Sequence, residues 1–186
     1  MRGPALPETA PAAGDFEAIV LAHHGHIHRY LCRLTARAGE AEDLAQETFL
    51  RAYRTWPGLS PATNHRAWLY TIATNVYRNH LRGERRRLRA YATVRVTVRA
   101  VGIDQPEADA VAGEVRALTV AAIGRLPLKQ RLAFTMRKLE ELDYETIGGS
   151  LACSAQTARA HVFQALRKIR ATLDKPAGRT PRGRTS

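Results

Sequence analysis

Apolar residues recur along this chain at the three-to-four spacing of α-helices, and no two alternating segments stand ready to pair as a sheet. Phe16, Ile19, Val20, Ile27, Tyr30, Leu31 and Leu34 form a first stripe, with Asp15 ahead of them as a start signal. Gly39 marks a break. Leu44, Ala45, Thr48, Phe49 and Ala52 form a second stripe behind Glu40, Glu42 and Asp43, acids that suit the positive end of a helix. Pro57, Gly58 and Pro61 end it and open a loop through about His65. Trp68, Leu69, Ile72, Ala73, Val76 and Leu81 make a third stripe, with Arg78, Asn79 and Arg82 off it. From Gly83 the chain turns basic, through Arg85, Arg86, Arg87 and Arg89, and it is punctuated by Gly102, Asp104 and Pro106. Tyr91 to Val101 alternates weakly, but a lone strand has no partner.

A second helical region starts near Ala110. Val115, Leu118, Ala122, Ile123 and Leu126 form one helix, and Pro127 suits the first turn of the next. The inner face of that helix is Leu132, Ala133, Met136 and Leu139. Tyr144 to Leu151 is a short element. A longer one runs from Ser154 to about Leu173, with Ala158, Val162, Ala165, Leu166, Ile169 and Leu173 inward. The expected fold is all-α: two small helical domains, 15–82 and 110–174, joined by a flexible linker, 83–109. Tails 1–14 and 175–186 are expected to be disordered.

Charge narrows the class of partner. The net charge is +12, which favours polyanions such as nucleic acid or an anionic membrane surface. No stretch approaches the roughly 20 uncharged apolar residues of a membrane span, and Met1 to Gly14 lacks the apolar core of a signal peptide. Cys32 and Cys153 are far apart and outside any CxxC, so they read as reduced thiols of a cytoplasmic protein. No phosphate-cradling glycine loop, Ser–His–Asp set or HExxH is present, and Glu141, Asp143 and Glu145 read as helix-start charges, so an enzyme is not expected. His24 and His28 stand one helical turn apart and could share a metal ion. No Cys or Glu is evidently placed to complete a site, so neither metal nor cofactor is expected.

The segment Leu142 to Leu166 carries the most chemistry. A short helix, a tight turn and a longer helix make a helix-turn-helix, with Gly148 the small residue at the crossing and Ile147 and Leu151 in the shared core. Ser154 can cap the second helix. Off the apolar face lie Gln156, Thr157, Arg159, His161 and Gln164, where Gln can read adenine and Arg guanine through paired hydrogen bonds. Two ordinary core helices would give the same pattern. Ala152 stands in the turn where a left-handed backbone favours Gly, at a cost of about 1 kcal/mol.

Two further segments are informative, AEDLAQETFLRAYRTW (41–56) and HRAWLYTIATNVYRNHLRGERRR (65–87). The first is an amphipathic helix whose outer face carries Asp43, Gln46, Glu47 and Arg51; such a face is commonly just solvated. The second interleaves Trp68, Tyr70 and Tyr77 with Arg66, Arg78 and Arg82, a mix that suits single-stranded nucleic acid. Trp68 fits the core equally well.

Together these segments closely resemble the first conserved domain of the extracytoplasmic-function (ECF) sigma factors, promoter-recognition subunits of bacterial RNA polymerase. Residues 125–170 resemble the second domain. The resemblance spans roughly Phe16 to Leu173, apart from the linker. It implies that the helix carrying Asp43, Leu44, Gln46, Glu47, Phe49 and Arg51 docks on core polymerase. It implies that Asn64, His65 and Arg66 lie at the loop capturing a flipped base of the melted −10 element, and that Asn75, Arg78, Asn79 and Arg82 face promoter DNA. It places Gln156, Thr157, Arg159, Ala160, His161 and Gln164 on the helix reading the −35 duplex. Ala152, Cys153, Ala160 and His161 depart from the residues common in the family, so the −35 sequence read does not carry over. The resemblance also implies an anti-sigma protein that holds the chain inactive. A lone helix-turn-helix repressor would have no use for a docking helix, and a membrane-associated protein would need a basic amphipathic helix with bulky exposed apolar residues.

Overall fold

In the computed structural model of the protein, residues 13–35, 37–60, 62–91 and 110–174 are described. All regular structure among them is helical. No described helix is long and apolar enough to cross a membrane. The chain separates into two compact units, Met1–Val101 and Gly102–Ser186. Residues 92–109 and the expected tails, apart from Ala13 and Gly14, lie outside the described residues.

Unit 1 holds α1 (Ala13–Thr35), α2 (Ala38–Thr55), a 3-10 turn (Trp56–Gly58) and α3 (His65–Tyr91). Gly39 does not mark the break between the first two helices but lies in the first turn of α2. The chain turns earlier, at Arg37, whose backbone is extended (φ −134°, ψ 121°). Thr35 fixes that corner: its hydroxyl donates to the Leu31 carbonyl at 3.0 Å and accepts from the Arg37 N–H at 3.4 Å. A second correction concerns Gly83, expected to open the linker, because α3 continues through the arginine run to Tyr91. One Gly in a helix interior costs about 1 kcal/mol relative to Ala, too little to break a helix whose preceding turns are packed.

The core of unit 1 is where the three stripes meet. Ile27, Tyr30 and Leu31 of α1, Ala41, Ala45, Thr48 and Ala52 of α2, and Leu69, Tyr70, Ala73 and Tyr77 of α3 are almost wholly buried. The alanines let α2 approach its neighbours closely. Buried hydroxyls need partners, and they have them. Tyr30 bonds Thr74 at 2.9 Å, Tyr77 donates to the Leu34 carbonyl at 2.9 Å, and Thr48 donates to the Leu44 carbonyl at 2.7 Å. Tyr30 and Tyr70 also meet edge to face, centroids 5.1 Å apart. Tyr70 and Tyr77 are therefore core residues, not stacking platforms for bases: Tyr70 packs its ring against Tyr30, and Tyr77 turns inward to bond the Leu34 carbonyl.

Unit 2 holds α4 (Ala110–Gly124), α5 (Leu128–Lys138), α6 (Tyr144–Leu151) and α7 (Ala155–Leu173). Ala122, Leu126, Phe134, Ala165 and Ile169 cluster with Ile123 and Leu166. Leu132, Met136, Ile147 and Leu151 are fully buried beside α7's Ala158 and Val162. Three expected inward residues are exposed instead: Leu118 (49%), Leu139 (38%) and Leu173 (41%). Leu118 lies a turn before the part of α4 that packs in this cluster, Leu139 is past the end of α5, and Leu173 is the last residue of α7.

The α6–α7 corner follows from four residues. Asp143 caps α6 by accepting from the Thr146 N–H at 2.6 Å, a bond that holds its carboxyl below the usual range. Ala152 adopts the left-handed conformation (φ 52°, ψ 57°). This lets the Cys153 N–H reach the Gly148 carbonyl at 2.9 Å and the Ala152 N–H the Gly149 carbonyl at 3.3 Å, the closing bonds of a Schellman turn. Ser154 then caps α7, accepting from the Thr157 N–H at 3.1 Å. At Gly148 a Cβ would stand 2.7 Å from the Cys153 carbonyl oxygen and 3.2 Å from the Ala155 nitrogen, so only Gly fits under the turn. Glu141 also has a positive φ (58°), so it belongs to the turn after α5 and not to the start of α6.

Candidate polymerase and nucleic-acid interfaces

The α2 residues expected to meet polymerase divide into two layers. Asp43 and Gln46 are exposed, while Glu47 and Arg51, one turn apart, are half-buried and form an ion pair at 2.6 Å. Gln46 donates to Glu42 at 3.5 Å. Leu44 and Phe49 are buried at 7% and 8%, with the Phe49 ring 5.7 Å from that of His24, so they support the face from beneath. Leu50 (53% exposed) and Tyr53 (55%) join the outer face at helical spacing from Asp43 and Glu47. The sequence reading missed both. Their signal was an apolar residue off the α2 stripe.

At the start of α3 the buried Trp56 organises the loop. Its ring lies 5.7 Å from Phe16, 5.4 Å from His65 and 6.3 Å from Trp68. Asn64 caps α3, its Oδ1 accepting from the Ala67 N–H at 3.0 Å, and Thr63 N–H bonds the Ser60 carbonyl at 2.9 Å. Arg66 lies 5.9 Å from the Tyr70 ring. Burial, then the nearby His26, His65 and Arg66, hold the His23 pKa below the ordinary histidine value. His23 is thereby neutral near pH 7 at the edge of a cationic corner. Asn75, Asn79 and Arg82 are exposed on one face of α3 with the half-buried Arg78 beside them, and Arg82 donates to Asn79 at 3.1 Å.

On α7, Gln156, Thr157, Arg159, Ala160 and Gln164 are exposed and His161 half-buried. The guanidinium carbons of Arg159 and Arg137 each lie 5.0 Å from the Tyr144 ring centre. Arg137 is itself anchored on the Leu142 carbonyl at 3.1 Å. Tyr144 thus holds Arg159 by a cation–π contact at the mouth of the helix-turn-helix. Gln164 accepts from the buried Gln130 at 2.6 Å. His161 turns Nδ1 away from solvent, and burial followed by Lys129 holds its pKa down. Phe163, absent from the expected face, is 65% exposed one turn beyond Arg159 and Ala160.

The histidines of α1 have closer company than the sequence suggested. His28 Nε2 is 3.3 Å from Glu42 and 3.6 Å from the Cys32 sulfur, and the His24 and His28 rings stack at 6.1 Å. Cys32 stands beside His28 because it lies one turn further along α1, and Glu42 because α2 packs back on α1. Burial and then Glu42 push the Cys32 thiol up, so it keeps its proton.

Two family descriptions match the two units, Sigma-70 region 2 over residues 19–87 and Sigma-70 region 4 over residues 116–169. The chain is 33% identical over 162 residues to the RNA polymerase sigma-H factor of Pseudomonas aeruginosa, covering 83% of each. It is 30% identical over 165 residues to the ECF RNA polymerase sigma-E factor of Escherichia coli K12, covering 84% of this chain and 86% of that one. The chain belongs to the ECF RNA polymerase sigma factors. The fold agrees: the sigma factor RpoE of Bartonella quintana, solved with the anti-sigma factor NepR, superposes with a TM-score of 0.72 at 22% identity, covering 88% of this chain and 99% of that one. As a sigma factor, the chain binds core RNA polymerase and promoter DNA and directs promoter-specific initiation of transcription.

Proposed function

We propose a division of this work between the units. In unit 1, spanning the expected domain 15–82 and extended by α3 to Tyr91, the α2 face of Asp43, Gln46, Glu47, Leu50, Arg51 and Tyr53 docks on core polymerase. The Asn64–Arg66 corner receives an unstacked base of the melted −10 element, and Asn75, Arg78, Asn79 and Arg82 hold the strand. In unit 2, the start of α7 enters the major groove at −35. Gln156, Thr157 and Arg159 meet bases there, with Ala160 leaving room for the groove wall and His161 and Gln164 at the margin. Residues 92–109 join the two units as a linker. The protein works in the cytoplasm by binding alone.

One observation carries the −35 assignment: Arg159 is exposed yet already held over Tyr144, beside a capped helix N-terminus that offers its free N–H groups to a phosphate. A regulator that holds the chain inactive is part of this reading. Two solved structures of this fold, the sigma factor RpoE with the anti-sigma factor NepR and CnrH with the cytosolic domain of CnrY, hold a partner, which supports it. The test is run-off transcription by reconstituted polymerase on a library randomised at both promoter elements. Unit 2 variants should change −35 preference alone and Asn64 or His65 variants −10 preference alone. Equal effects of Arg159→Ala on both elements would refute the division.

A further inference from the structure

Outside these faces, one group of three side chains among the described residues brings metal-ligating atoms into mutual reach. Glu40 in the first turn of α2, and His80 and Glu84 one turn apart on α3, place one ligand atom each within 4.8 Å of the others. His80 Nε2 is 2.6 Å from Glu40 and 3.9 Å from Glu84. The side chains of His80 and Glu40 are only 23% and 20% exposed, that of Glu84 44%. The Nε2 atom itself is closed off from solvent, with Glu40 beside it.

We propose that Glu40, His80 and Glu84 form a binding site for a divalent transition-metal ion that clamps the start of α2 to the middle of α3. Zinc binds imidazole nitrogen and carboxylate oxygen at about 2.0–2.2 Å, so neighbouring ligand atoms lie roughly 3–3.5 Å apart. The observed 2.6 and 3.9 Å straddle that spacing, and rotation of three side chains reaches it without moving a helix. A ligand pair at i, i+4 on one helix is a spacing that metals use, and Glu40 adds the third ligand from across the packed α2–α3 junction. Water completes the coordination through the exposed side of Glu84. One imidazole and two carboxylates favour zinc, cobalt or nickel over calcium or magnesium, which prefer oxygen alone. Glu40 precedes the docking face by one turn and His80 adjoins Asn79. On the functional reading above, an occupied site therefore stiffens the joint between the polymerase face and the promoter face, but ion binding itself does not depend on that reading.

The experiment uses the full chain. Zn²⁺ titration by calorimetry, and Co²⁺ titration by its visible absorption, should show one saturable site, and Zn²⁺ should raise the melting temperature. His80→Gln should weaken the affinity by about tenfold or more, as Glu84→Gln should to a smaller degree. Cys32→Ser and His28→Gln should leave it unchanged. Circular dichroism checks that each variant folds. If His80→Gln does not fold, the exposed Glu84→Gln decides: binding at wild-type strength there overturns the proposal. It is equally overturned if the wild-type chain shows no saturable binding, if binding survives His80→Gln, or if Cys32→Ser or His28→Gln abolishes it. That last result would assign the ion to the α1 cluster.

Discussion

Replacing Ala152 with Gly should stabilise unit 2, against the usual rule that substitutions destabilise. Ala152 is exposed, so removing its methyl group loses no packing, and its φ of 52° is a conformation L side chains disfavour. A left-handed conformation costs a residue with a Cβ about 1–2 kcal/mol that Gly does not incur. Against this, Gly makes the unfolded chain more variable, at about 0.4–1 kcal/mol. The difference favours Ala152→Gly by about 0.5–1 kcal/mol. For a unit of this size that is a rise in melting temperature of roughly 2–8 °C. Hydrogen exchange on α6 and α7 peptides of the full chain reads unit 2 separately from unit 1. The mirror change, Gly148→Ala, should do the opposite, since its Cβ would meet the Cys153 carbonyl at 2.7 Å. Faster exchange in α6 and α7 of Ala152→Gly than in the native chain would refute the strain argument.

Arg159→Ala should cost about 1–3 kcal/mol at one or two −35 positions, read as relaxed preference in run-off transcription on a promoter library. Glu47→Arg breaks the pair with Arg51 and reverses charge on the proposed docking face, so co-purification with core polymerase should fall while helix content by circular dichroism stays native. Phe49→Ala acts by another route: it empties a buried site and should cost about 3–5 kcal/mol in denaturant unfolding. Stability should also fall on acidification, followed by the melting temperature from pH 8 to 5. The folded chain resists protonating His23 and His161, so their contribution is complete above the ordinary value of 6.5 and is lost as pH falls through their lower folded values.

Helix stripes were legible because each buries one face, and the α6–α7 corner was legible because its chemistry is local. Asp143, Gly148, Ala152 and Ser154 act within a few residues of themselves, so spacing alone reveals their roles. The misses are tertiary. Tyr70 and Tyr77 look like base platforms in a basic sequence until the Tyr30 ring and the Leu34 carbonyl turn out to define their surroundings. Glu42 could not be placed beside His28, nor Glu40 beside His80, without knowing how α2 packs between α1 and α3, whereas Cys32 lies one helical turn from His28 on α1 itself. Gly83 misled because a weak local preference was outweighed by a helix already nucleated and packed upstream.

The residues assigned to bases and those assigned to the core are joined physically, which bears on how a small domain can read DNA. A free arginine gives up about 2 kcal/mol of rotamer entropy when it is fixed against a base. Arg159 has surrendered part of that freedom on folding, because Tyr144 holds it and Arg137, tied to the Leu142 carbonyl, shares the same ring. Tyr144 is the first residue of α6, set in place by the Asp143 cap. The loop at Asn64 follows the same plan: its capping bond to Ala67 and the Trp56 ring against His65 fix the corner before any strand arrives. In both places, groups that need never touch DNA set the positions of those proposed to do so. Substitutions at Tyr144 or Trp56 should therefore weaken promoter use while leaving every assigned DNA contact in the sequence.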